Sequence, residues 1–301
     1  MTKSKPGPID TERENLYTEL NNIATSHQRR LEIGERLAAV GDTRNGISVK
    51  GGLPDIAWLP VDGSQGRYRF EYGDLEVKSF FIAKYLITVT QYQAFVDNDY
   101  NDPRWWVGLP DEYRPQSMQS PHNNRANAPR DSLSWYQSIA FARWMTAKFD
   151  DVTLTHPSGF VLRVGDNAQI RLPTEWECQW AAQAGLQALE YPWGKWDKHP
   201  RANTTASNLD DRSTAVGMYP HGAAECGALD MAGNLWEWCL NDRQNPEIVN
   251  GYGNGAAKSM RGGSCANYYG RESAATSYRN QDLPQHTFYR FGMRLIVGSR
   301  L

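Results

Sequence analysis

The four cysteines, Cys178, Cys226, Cys239 and Cys265, show no C-x-x-C spacing and no paired-histidine motif accompanies them, so a zinc site is not expected. No G-x-S-x-G turn is present to raise a serine nucleophile. What the chain concentrates instead is the chemistry of contact. Residues 265–292, CANYYGRESAATSYRNQDLPQHTFYRFG, join Tyr268, Tyr269, Tyr278, Phe288 and Tyr289 with Asn, Ser, Thr, His and Arg. Tyrosine supplies large contact area at low entropic cost, and small polar residues supply adaptable hydrogen bonds, a mixture typical of antibody-like binding loops. The plainer alternative is an ordinary loop segment whose aromatic rings pack inward.

Such a segment needs elements to hold it. Residues 10–40 read as helical, with Leu16, Leu20, Ile23, Leu31, Ile33, Leu37 and Val40 at roughly helical spacing and Gly41 as a stop. The stretch DTRNGISVKGGLPD then reads as a linker. Residues 56–61 and 67–83 alternate as strands and turns do. Thr88 with Gln91 forms a capping box that opens a helix carrying Tyr92, Phe95 and Val96. A second helix is expected over 132–149, with Trp135, Ile139, Ala142 and Met145 as its apolar stripe. Pro173, the Thr174–Glu177 capping box and Gly185 bracket a third. Residues 186–290 are rich in Gly, Asn, Asp, Ser and aromatics and show few clean periods, and a final strand is expected at Phe291 to Val297.

With 301 residues, the chain fits one large domain plus an N-terminal extension, or two small domains. The 11 Trp and 15 Tyr favour a large irregular core or a binding surface. A formal net charge of −2 gives no pull toward nucleic acid or an anionic membrane. No apolar run approaches the roughly 20 residues that span a bilayer. The polar N-terminus does not read as a secretory signal, so a cytoplasmic location with reduced thiols is the expectation.

Four segments occur in order: IRLPTEWECQWAA at 170–182, YPWG at 191–194, LDMAGNLWEW at 229–238, and MRGGS to FGMRL at 260–295. With KYLITVTQYQAF at 84–95 and the helix at 132–149, they resemble the formylglycine-generating enzyme (sulfatase-modifying factor) family over roughly residues 53–298. The resemblance implies an α+β, C-type-lectin-like fold with much irregular structure, here residues 46–301, preceded by a helical extension at 1–45. Bottom-up, Gly233 and Asn234 suit a tight turn, and Trp236 and Trp238 alternate onto one strand face, most simply as core. The family binds calcium near this segment, and the matching positions are Asp230, Gly233, Leu235 and Glu237, with Asn203 as the match for a second site. Two carboxylates with carbonyl oxygens are suitable donors for a hard cation.

Active members hold copper with two cysteines that lie three and eight residues after the Ser of the GGS motif. Counting from Ser264 places Asn267 and Glu272 there. Their hard donors cannot replace two thiolates at a Cu(I) site. Cys265 stands at the wrong position, so formylglycine synthesis is not expected and no catalytic residue or catalytic cofactor is assigned. A related branch makes ergothioneine sulfoxides with an H-x-E element, and none occurs among the six His here.

The segment between RGGS and G-F-R also resembles the variable region of diversity-generating retroelement proteins that share this fold. Their AAY codons, mutated at adenines, reach every residue except Lys, Gln, Glu, Met and Trp. Between 265 and 290 only Glu272, Gln281 and Gln285 lie outside that set. The resemblance thus implies a diversified, protein-binding surface at Ala266, Asn267, Tyr268, Tyr269, Gly270, Tyr278, His286, Thr287, Phe288 and Tyr289. One alternative is an accessory domain of a bacterial signalling or defence system, with the N-terminal helix docked on a partner; another is a divergent enzyme of the same family using a non-copper site.

Overall fold

The computed structural model describes residues 7–114, 118–266 and 270–301. The helical N-terminus is a hairpin of two helices, α1 (Pro8–Leu20) and α2 (His27–Val40), where the sequence reads as one helical stretch. Ser26 caps α2 by accepting from the Arg29 amide, and Gly41 ends it at φ +85°. Leu16, Leu20, Ile33 and Leu37 are buried against Ala215, Met218 and Tyr219 of the main body. The apolar face offered as a partner-docking surface is therefore covered by the chain's own domain.

The expected linker at 42–55 carries a small hairpin, β1 (Val49–Lys50) and β2 (Leu53–Pro54), turned by Gly51 and Gly52 with positive φ. There follow β3 (Trp58–Val61), β4 (Arg67–Phe70), β5 (Gly73–Glu76) and β6 (Phe80–Ala83). Helix α3 (Val89–Asn98) begins at the Thr88–Gln91 capping box. Helix α4 (Trp135–Lys148) begins at a Ser134–Gln137 box and is buried around most of its circumference, not along a stripe. Strands β7 (Thr153–Thr155), β8 (Val161–Arg163) and β9 (Ala168–Arg171) lead to α5 (Glu175–Ala182). Its Thr174–Glu177 box is present, and the helix stops at Ala182, ahead of Gly185.

The long irregular stretch contains β10 (Trp236–Asp242), β11 (Lys258–Arg261) and β12 (Asn280–Asp282). The expected last strand is two: β13 (Phe291–Gly292) and β14 (Ile296–Ser299). They belong to different sheets, one ordered β12-β11-β10-β13 and the other β3-β6-β14-β9. β13 runs parallel to β10, whereas β14 lies antiparallel between β6 and β9. Between them the Ala83 amide donates to Leu295 O and the Ile87 amide to Met293 O, so the crossing itself is hydrogen-bonded. The architecture is the α+β, C-type-lectin-like one, with Trp135, Trp144, Trp236 and Trp238 in its principal core. Among the described residues no helix is long and apolar enough to cross a membrane.

Candidate functional site

The turn that precedes β10 anchors everything C-terminal to it. Gly233 has φ +82°, and a Cβ there would lie 2.3 Å from Asn203 O, so no larger residue fits. Asn234 follows at φ +67°, donates its amide to Asn203 O and accepts the Thr214 amide on Oδ1 at 3.0 Å. Its carbonyl accepts from the Cys265 amide, which fixes where the candidate segment leaves the scaffold.

Glu237 and Asp230 do not pool their oxygens. Both oxygens of Glu237 accept from the Arg294 guanidinium, Nε and Nη2 each at 2.9 Å, and Arg294 also donates to Ala83 O and Leu229 O. Asp230 Oδ2 accepts from the Gly217 amide at 2.6 Å. Burial pushes the Asp230 carboxyl up to about 6, although Gly217 and nearby arginines act the other way. Asn203 retains a buried Oδ1 without a donor, one orphan oxygen where calcium needs six to eight ligands. The Asp230, Gly233, Leu235 and Glu237 arrangement therefore does not fit calcium: a fully buried guanidinium already neutralises Glu237 and would repel a divalent cation.

Of the two copper-site positions only Glu272 is among the described residues. Asn267, Tyr268 and Tyr269 lie outside the described residues. Glu272 is exposed beside Arg271. Cys265 is buried, donates Sγ–H to Asp211 O at 3.4 Å, and burial pushes its thiol up to about 12. All four cysteines are unpaired, and Cys178 and Cys239 are buried. Among the described residues no three His, Cys, Asp or Glu side chains converge as a metal site would require.

The candidate contact residues divide. Ala266 is 3% exposed and its carbonyl accepts from Ser264 Oγ, so it is core, contrary to the surface expectation. Tyr278 is half-buried against Trp236, ring centroids 5.9 Å apart, while its carbonyl accepts from Arg261. Gly270 opens the short turn Gly270–Ala274, packed on the turn Thr205–Ser207. His286, Thr287, Phe288 and Tyr289 form one cluster, in which Phe288 is exposed and the other three are half-buried. Phe288 is 44% exposed, with the His286 ring 5.4 Å and the Phe291 ring 5.2 Å away. The Tyr289 ring stands 5.1 Å from His122, a neighbour that no local pattern predicts. His122 is set by its amide, which donates to Asp131. Thr287 edges a depression of about 290 Å³ shared with Tyr113, Gln119 and Gln285.

The cluster is tethered at both ends by backbone bonds. The Trp135 amide donates to Pro284 O, and the Trp236 amide to Arg290 O, both at 2.9 Å. Between them His286 Nδ1 bonds Asp282 and the Phe291 amide bonds Phe288 O. The main chain around 286–289 is thus held by α4 and β10.

The model of the sulfatase-modifying factor enzyme 1-like domain family matches residues 38–298. Hercynine oxygenase of Mycolicibacterium thermoresistibile is 28% identical over 256 residues, 73% of this chain and 51% of that protein. Formylglycine-generating enzyme of Streptomyces coelicolor is 28% identical over 197 residues, 58% of this chain and 54% of that one. The chain thus spans about half the length of these curated relatives. Among solved structures, Treponema denticola variable protein 1 superposes with a TM-score of 0.57 at 18% identity, covering 83% of this chain and 97% of that one.

Proposed function

Since the chain belongs to the sulfatase-modifying factor enzyme 1-like family yet carries Asn267 and Glu272 where two copper-ligating cysteines would stand, we propose that it is a non-catalytic binding protein presenting its C-terminal segment to a protein ligand. The observation that carries this reading is the cluster of exposed Phe288 with half-buried His286 and Tyr289 on a main chain fixed at Pro284 and Arg290. A rigid backbone with exposed aromatic side chains loses little entropy on binding. The variable-protein type is supported by the shared fold of a protein named as variable and by the residue set between 265 and 290.

The test is the DNA flanking the gene. A near-copy of the 3′ end differing only at adenines, beside a reverse-transcriptase gene, is the expected finding and would list the diversified positions directly. Absence of both within several kilobases overturns the diversified reading. A second reading, a divergent enzyme, is favoured by the relatives named as oxygenase and formylglycine-generating enzyme. Incubating the protein with copper and a Cys-x-Pro-x-Arg peptide separates the two by mass spectrometry. No formylglycine is expected, and conversion would establish the enzyme.

A further inference from the structure

A cavity lies away from the C-terminal cluster, where the helical hairpin meets the edge strand β3. It holds about 750 Å³, within the range of small-molecule sites. Tyr17, Trp58 and Tyr85 supply aromatic walls, and Ile56 and Leu59 add apolar surface. No Asp or Glu lines it, although two cations do, Arg44 and Lys84.

The two cations differ. Both approach the Tyr85 ring, Arg44 Cζ at 5.6 Å and Lys84 Nζ at 5.4 Å from its centroid. Arg44 is neutralised by Asp42, with Nε–Oδ1 at 3.0 Å and Nη2–Oδ2 at 2.6 Å, and its Nη1 donates to Val216 O. Lys84 is half-buried, and among the described residues its ammonium has the Tyr85 ring and no carboxylate. An ammonium beside an aromatic ring and without a carboxylate partner leaves the groove a cationic point that an anion can take. The cradle is shaped for it: a Cβ on Gly217 would stand 2.4 Å from Tyr85 Cε1 and 2.9 Å from Arg44 Nη1, so only glycine leaves that ring and guanidinium in place.

We propose that this groove binds a small flat organic anion, an aromatic carboxylate or sulfonate in chemistry, with its ring against Trp58 and its charge on Lys84. The site shares no residue with the 286–289 cluster and stands or falls independently of it. The probe is 8-anilinonaphthalene-1-sulfonate, titrated by fluorescence into the full chain. Saturable binding at one site is expected, at least tenfold weaker in Lys84→Glu and retained in Lys84→Arg. The uncharged analogue N-phenyl-1-naphthylamine should also bind at least tenfold more weakly than the sulfonate. Non-saturable binding, equal affinity for the uncharged analogue, or unchanged affinity in a folded Lys84→Glu would overturn the site. Should Lys84→Glu fail to fold, Trp58→Ala carries the same test, with circular dichroism confirming its structure.

Discussion

At the scale of residues, the segment around β10 holds two carboxylates in opposite circumstances. Glu237 is buried and paired on both oxygens with Arg294. Removing one partner of such a pair leaves an uncompensated charge, so Glu237→Gln should cost about 3–5 kcal/mol in urea unfolding. Asp230 has no such partner, and burial raises its carboxyl to about 6 from an ordinary 3.8. The folded chain therefore holds a proton that the unfolded chain has released, and stability falls as pH rises between about 4 and 6. Above that window the cost is constant, on the order of 2–3 kcal/mol. Asp230→Asn keeps an oxygen for the Gly217 amide, so it should raise Tm at pH 7.5 and flatten the slope between pH 4 and 6. A lower Tm at pH 7.5 would show that the charge is needed, as a bound cation would require. Because Arg294 already occupies Glu237, excess EDTA and millimolar calcium should both leave the wild-type Tm unchanged.

At the scale of elements, the N-terminal hairpin is set by one side chain. Arg30 is fully buried and donates to Thr25 O, Leu20 O, Asn22 O and Met218 O: the last residue of α1, two in the α1–α2 connection and one in the main body. Among the described residues no carboxylate pairs with it; its partners are carbonyls, of which that of Asn22 also accepts from the Thr25 amide. Arg30→Leu should cost at least about 3 kcal/mol, since each orphaned carbonyl costs about 1–3 kcal/mol. A loss under 1 kcal/mol in chemical denaturation would mean the hairpin is only loosely seated. Nothing local in the sequence marks Arg30, and so α1 and α2 read as one helix. The starts of α3 and α5 were legible because a capping box is a three-residue signal, Thr88 with Gln91 and Thr174 with Glu177. The run FGMRLIV was legible as extended but not as two strands, because its halves pair with different sheets and only tertiary neighbours decide that. The same limit applies to the candidate site. Tyr278 and Tyr289 are alike in sequence and both half-buried, and only tertiary neighbours separate them: the first packs on Trp236 of the core, the second beside His122.

At the scale of the whole molecule, a scaffold that tolerates change in one stretch must be rigid everywhere that stretch is attached. The C-terminal segment combines buried anchors with a less buried stretch. Ala266, Ser273 and Thr276 are buried, and Thr276 bonds Leu189 O and Glu190 O. His286, Thr287, Phe288 and Tyr289 lie between main-chain anchors and contribute little to the core. Substitutions at exposed or half-exposed positions usually change stability by about 0.5 kcal/mol or less, whereas a large side chain forced into a packed site costs about 1–3 kcal/mol or more. A panel randomised jointly at 286–289 should therefore melt within a few degrees of the parent, roughly 2–4 °C per kcal/mol for a chain of this class. Ala266→Arg should melt far lower or fail to fold. The contrast, read by thermal denaturation of purified variants, is what a display surface on a fixed fold requires. If the 286–289 panel is as destabilised as Ala266→Arg, those residues are structural, and the binding-surface reading fails irrespective of any ligand.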